Sequence, residues 1–123
     1  MDTRKKIVGK PALLSLSGKV RVAKGWFDIL TAEHCQLLAG AKPADGTLVV
    51  LVYRETADRP APLDSFGRAQ MVAALGCVDR VCECDVADSE AVVKRLEPES
   101  VLDVDASETR DIVRHIAERH ANG

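Results

Sequence analysis

Leu48-Val49-Val50-Leu51-Val52 is the stretch on which the fold turns. Five consecutive apolar residues, mostly β-branched, read as a strand covered on both faces, as in a buried parallel sheet. It is the expected centre of that sheet. Toward the amino terminus, residues 32–41 have helical spacing, with Cys35, Leu37, Leu38 and Ala41 available to a core and Gly40 and Pro43 marking the end. Residues 19–24 before them read as another strand. Toward the carboxyl terminus, residues 54–63 form a polar loop in which Pro60 and Pro62 exclude regular structure.

The alternation continues. A helix is expected over 64–75, capped by Asp64 or Ser65, with Met71, Val72 and Leu75 at helical spacing. Residues 78–84 read as the third strand. Asp88 and Ser89 are expected to cap a helix carrying Val92, Val93 and Leu96; Pro98 ends it, and Val101-Leu102 supplies a short fourth strand. From Ser107 onward, Ile112, Val113, Ile116 and His120 fall on one side, so residues 107–121 read as an amphipathic terminal helix. Residues 1–18 read as a lead-in with a short apolar stretch at 11–16. The order β-α-β-α-β-α-β-α predicts one α/β domain over 1–123, three layers deep, with right-handed crossovers and a small parallel sheet. In such sheets ligands bind outside the carboxyl ends of the strands, near the point where strand order reverses.

Composition narrows the classes. With 123 residues, 46% apolar content and a net charge of -2, the chain falls in no disordered, fibrous or membrane class. No apolar run approaches the roughly 18 to 20 residues of a membrane span, and Arg4, Lys5 and Lys6 are not followed by an apolar signal region. A cytoplasmic protein without membrane contact is expected. Near-neutral charge gives no broad reason for nucleic-acid binding, and a nucleotide-sized ligand fits better. Cys35, Cys77, Cys82 and Cys84 lack the paired Cys-x-x-Cys spacing of a zinc site, so no metal site is expected. Cys82 and Cys84 are expected to send one thiol to each face of their strand, and all four to be reduced.

The loop after the first strand carries the chemistry. It reads Gly25-Trp26-Phe27-Asp28-Ile29-Leu30-Thr31-Ala32-Glu33-His34. A strand followed by Gly-x-Phe-Asp-x-Leu and a histidine resembles the nucleotidylyltransferase superfamily with its His-x-Gly-His signature, in the cytidylyltransferase-like branch. It is similar above all to the adenylyltransferase domain of ADP-heptose synthase. The resemblance continues through Arg59-Pro60, Arg68, Met71-Val72-Ala73-Ala74-Leu75 and Cys77-Val78-Asp79-Arg80-Val81, and covers roughly residues 19–102.

The resemblance implies a Rossmann-like nucleotidylyltransferase fold. It also implies transfer of a nucleotidyl group from CTP or ATP to a sugar or polyol phosphate, with magnesium assisting, pyrophosphate released and a homodimer as the common assembly. Such catalysis is positioning and charge neutralisation on the triphosphate. By the match, Gly25 and Phe27 shape the loop, His34 touches the phosphates, and Arg68 reaches the nucleotide or the acceptor phosphate. Asp28 belongs to the same nucleotide loop, or hydrogen-bonds loop amides. Lys24, where the family has asparagine, is a compensating phosphate contact or a solvated strand end. Trp26 stacks on a base or packs over the pocket. Arg110, in Ser107-Glu108-Thr109-Arg110, is a remnant phosphate contact or part of a plain helix cap. His115 and His120 lie about 140° apart on their helix, which does not favour joint metal ligation.

The departures gather where that chemistry belongs. Thr31 replaces the first signature histidine and Glu33 the glycine. A threonine hydroxyl cannot neutralise developing charge as an imidazole can, a loss of roughly two to three orders of magnitude in rate. Glutamate adds bulk and negative charge where a triphosphate must approach, and like charges about 4 Å apart repel by roughly 4 kcal/mol at an effective dielectric near 20. Both residues also suit a plain helix start, Thr31 as N-cap and Glu33 in the first turn. After Leu102 the family continues with a strand and a Ser-Thr-rich triphosphate segment, whereas this chain has Asp103-Val104-Asp105. Two function classes follow: a divergent nucleotidylyltransferase, or a non-catalytic relative serving as a nucleotide-binding or oligomerisation module.

Overall fold

The computed structural model describes residues 2–28, 30–61 and 63–105. The terminal helix expected over 107–121, with Arg110, His115 and His120, lies outside the described residues. β1 (Val20–Gly25), β2 (Thr47–Tyr53), β3 (Arg80–Cys84) and β4 (Ser100–Asp103) form a parallel sheet in the order β3-β2-β1-β4. The run at 48–52 lies inside it: β2 pairs with a strand on each side, and all five residues are fully buried.

Helices cover both faces. α2 (Ala32–Ala41) and α3 (Ser65–Ala73) pack on one, where Leu38, Ala69 and Val72 meet Ala23, Val50 and Val81. α1 (Lys10–Leu14) and α4 (Val86–Leu96) pack on the other, where Leu13 and Val92 meet Val22, Leu51 and Cys84. Right-handed crossovers explain the division. The connections through α2 and α3 move the chain one way across the sheet, and α4 carries it back past β1, which turns the same handedness onto the opposite face. The result is a three-layer, Rossmann-like α/β fold whose strand order reverses between β1 and β4. Among the described residues no helix is long and apolar enough to cross a membrane.

The lead-in at 1–18 contributes to the core and to the sheet. After a 3-10 helix (Thr3–Lys6), Ile7 bridges to Val81, the Val8 N–H donates to the Val81 carbonyl at 2.8 Å, and Leu13 is completely buried. The outer edge of β3 is thereby paired, removing an open strand edge. α4 begins at Val86, with Asp85 in the N-cap position, earlier than the expected caps Asp88 and Ser89. Asp88 sits in the first turn, where it favours the helix dipole and pairs with Lys10 at 3.2 Å; Ser89 donates its hydroxyl to the Val86 carbonyl. Cys82 and Cys84 lie in the same apolar cluster, not on opposite faces. Strand side chains alternate with period two, so residues two apart share a face.

At the amino end of the sheet, Asp79 takes hydrogen bonds from the Leu48 N–H at 2.8 Å and from Lys42, which also reaches the Gly46 carbonyl at 2.9 Å. Asp79 is the acid of the Cys77 to Val81 pattern, and its work here is to tie strand starts together.

Candidate functional site

β1 delivers Lys24 and Gly25 to the carboxyl edge of the sheet. Gly25 meets a steric demand: a Cβ there would lie 2.4 Å from Val104 Cγ2 and 2.7 Å from Asp105 Oδ2. Only hydrogen fits. This close approach seats the Asp105 carboxylate on the Trp26 N–H, while the Asp105 N–H donates to Asp103 Oδ1 at 3.1 Å. The chain then turns through Phe27 at φ 52, in the left-handed region. That conformation costs a non-glycine residue about 1–3 kcal/mol, and burial of the Phe27 ring in the core opposes the cost.

Thr31 and His34 close the loop. The Thr31 hydroxyl accepts from the His34 N–H at 3.1 Å, and the His34 Nδ1 accepts from the Thr31 N–H at 3.3 Å, a reciprocal cap on α2. The His34 ring also meets Phe27 edge-on, with centroids 5.9 Å apart. Its Nδ1 is thus spent on the helix start. Glu33 is exposed in the same first turn.

Arg68 stands behind the loop. It is completely buried. Its Nε donates to the Leu63 carbonyl at 2.9 Å, one terminal nitrogen donates to the Tyr53 carbonyl at 2.7 Å and to the Trp26 carbonyl, and the other meets Glu55 at 2.6 Å. One guanidinium thus joins the ends of β1 and β2, the 54–63 loop and α3. A hydrogen bond from its own amide, together with Arg68, holds the Glu55 carboxyl below its ordinary range. Arg68 frames the site and presents no charge to a cleft.

Arg59 is the second paired cation. It bonds Asp28 Oδ2 at 2.7 Å, and its guanidinium carbon lies 4.3 Å from the centroid of the Trp26 ring, a cation–π distance. Trp26 in turn packs edge-on against Tyr53, with centroids 5.2 Å apart. Asp28 Oδ1 is buried and has no hydrogen-bond partner among the described residues.

A cleft of about 520 Å³ lies at the carboxyl end of β1 and β4, on the α4 side of the sheet. Lys24, Trp26, Tyr53, Glu90, Asp103 and Asp105 line it. Three of these are acidic and one is basic, so the cleft is a weak attractor of anions. Of the residues singled out in the sequence, Lys24 and Trp26 reach the cleft. Gly25, Phe27, Asp28, Thr31 and His34 build the adjoining loop, Arg68 is sealed behind it, and Arg110 lies outside the described residues. Asp105 and Glu90 were not foreseen as site residues. The acid-rich Asp103-Val104-Asp105 was visible as a departure; nothing in the sequence aimed it at Trp26. Among the described residues no group of three or more His, Cys, Asp or Glu is arranged to hold a metal ion.

No protein-family model matches the chain, and no curated protein matches it in sequence. Among solved structures, the fold is similar to the crystal structure of the lipopolysaccharide core biosynthesis protein from Thermoplasma volcanium GSS1. The TM-score is 0.62 at 24% identity, over 85% of this chain and 90% of that one. At that identity the likeness speaks for architecture: the chain shares the Rossmann-like three-layer α/β fold of that protein.

Proposed function

We propose that the chain is a cytidylyltransferase-like domain of the nucleotidylyltransferase superfamily, similar to the adenylyltransferase domain of ADP-heptose synthase, that keeps the frame of the nucleotide site without efficient nucleotidyl transfer. The similarity of fold to a lipopolysaccharide core biosynthesis protein supports that ancestry. The observation that carries the loss is the Asp105 carboxylate on the Trp26 N–H. An amide at the carboxyl end of β1, beside the switch point, is where this fold class receives a ligand's anion, and the chain supplies its own.

The surroundings agree. A triphosphate in the cleft meets Glu90, Asp103 and Asp105 against Lys24 alone. One carboxylate about 4 Å from a phosphate charge costs roughly 4 kcal/mol at an effective dielectric near 20, about a thousandfold in affinity. Arg59 and Arg68 are already paired with acids, and His34 caps its own helix. The chain serves as a scaffold or weak nucleotide-binding module, and four free thiols suit a cytoplasmic setting.

A slow enzyme using CTP or ATP and a sugar or polyol phosphate is the second reading. It is favoured by Lys24 in the cleft, the left-handed backbone of Phe27 and an Asp28 Oδ1 without a partner among the described residues, since such departures gather at functional sites. In that reading Asp103 and Asp105 fit magnesium carried in by the triphosphate, which binds through one or two carboxylates and supplies charge neutralisation. Pyrophosphate release from CTP or ATP, with magnesium and a panel of sugar and polyol phosphates, separates the two. The first reading expects none above background; steady release by the unaltered chain overturns it in favour of the second.

A further inference from the structure

We propose that the cleft at the carboxyl end of β1 and β4 binds an organic dication, a diamine or a short polyamine. This binding is independent of nucleotidyl transfer. At about 520 Å³ the space is that of a small-molecule site. Its walls are of two kinds. Trp26, Tyr53 and Val86 supply aromatic and aliphatic surface, and Val86 is 42% exposed, so part of that surface stands open to an occupant. Glu90, Asp103 and Asp105 supply three carboxylates against the single ammonium of Lys24.

That charge selects the ligand. An anion is repelled, and a doubly charged cation balances the excess. A bare metal ion finds no set of ligands, for among the described residues no group of three or more His, Cys, Asp or Glu is arranged to hold one. The carboxylates are instead spread over two elements: Glu90 lies on α4, whereas Asp103 ends β4 and Asp105 follows it. Two ammonium groups joined by a methylene chain match that spread. One meets Asp103 and Asp105, each of which spends one oxygen inside the loop, Asp105 Oδ2 on the Trp26 N–H and Asp103 Oδ1 on the Asp105 N–H at 3.1 Å. The second oxygen of each accepts from the ligand. The other ammonium meets Glu90, and the methylenes between them lie over Trp26 and Tyr53. An aromatic face also attracts a cation, and the Trp26 ring already holds one, the Arg59 guanidinium carbon 4.3 Å from its centroid.

Trp26 is the only tryptophan, so its fluorescence reports on the cleft directly. Titration of the full chain with putrescine at low salt should give a saturable change with a midpoint below about 1 mM. Butanediol, of the same length without charge, and magnesium chloride at equal ionic strength should give none. Glu90→Gln, at an exposed position, should weaken the diamine at least about threefold, and Lys24→Met should tighten it by a similar factor because the one repelling charge is gone. The opposite signs identify a cation site. A midpoint above about 1 mM, or no saturation, overturns the proposal. So does a response shared with butanediol or magnesium, or a diamine midpoint that is indifferent to Glu90→Gln or not lowered by Lys24→Met.

Discussion

The two ends of the sheet are built from similar parts and finished differently. At the amino end, Asp79 meets Lys42 and the Leu48 N–H, a lysine also holds the Gly46 carbonyl, and every group there serves the joining of strand starts. At the carboxyl end, Phe27 is held in the left-handed region, Asp28 keeps one buried oxygen without a partner among the described residues, and Asp105 covers a loop amide. Stability alone explains the first arrangement. The second keeps a strained backbone and one spare buried acceptor among the described residues, which fits the proposal that the chain itself fills a ligand's place.

The sharpest way to break the contrast is at the two cationic anchors. Arg68→Met at the carboxyl end leaves the Leu63, Tyr53 and Trp26 carbonyls without their buried donor, and should cost about 3–5 kcal/mol in urea unfolding. Lys42→Met at the amino end, where the ion pair is about one-third exposed, should cost about 1 kcal/mol or less. Equal costs would mean that the buried guanidinium contributes no more than the partly exposed ammonium. Gly25→Ala comes next. Its Cβ collides with Val104 and Asp105, for a loss of about 1–3 kcal/mol and a freed Trp26 amide detectable by faster hydrogen exchange. Thr31→Ala should cost about 1 kcal/mol by removing the α2 cap, whatever ligand is present.

The smallest effect is alkaline. Burial pushes the Cys82 thiol up to about 11 from an ordinary value of 9.0. Between those limits the unfolded chain has lost a proton that the folded chain retains, so stability should fall as pH rises from about 9 to about 11 and then level off. Denaturant midpoints across that range, compared with those of Cys82→Ala, measure it; a flat difference between the two would contradict the burial of this thiol.

Much of this architecture was legible because hydrophobic pattern dictates it. The run at 48–52 announced a buried parallel strand, and Thr31 and Asp64 cap the helices they precede. The start of α4 was misplaced because Asp88 and Ser89 are good caps that here fall inside the first turns. The docked lead-in was not legible, for its task is to pair a sheet edge and pairing leaves no local signature. At the site, the loop residues were visible, but charge pairing was not. Arg68 reads as a phosphate ligand until Glu55 and the carbonyls of Trp26, Tyr53 and Leu63 surround it. The Asp105 contact joins positions 79 residues apart, which no window of sequence reveals.

The measurement that tests the central claim most directly is calorimetric titration of CTP and ATP, with magnesium, into the unaltered chain and into Asp105→Asn, which keeps the shape of that side chain and removes its charge. A self-occupied site predicts binding no tighter than about millimolar for the unaltered chain and a gain of at least about tenfold in affinity for the variant. Micromolar binding by the unaltered chain, left unchanged or weakened by Asp105→Asn, would contradict it.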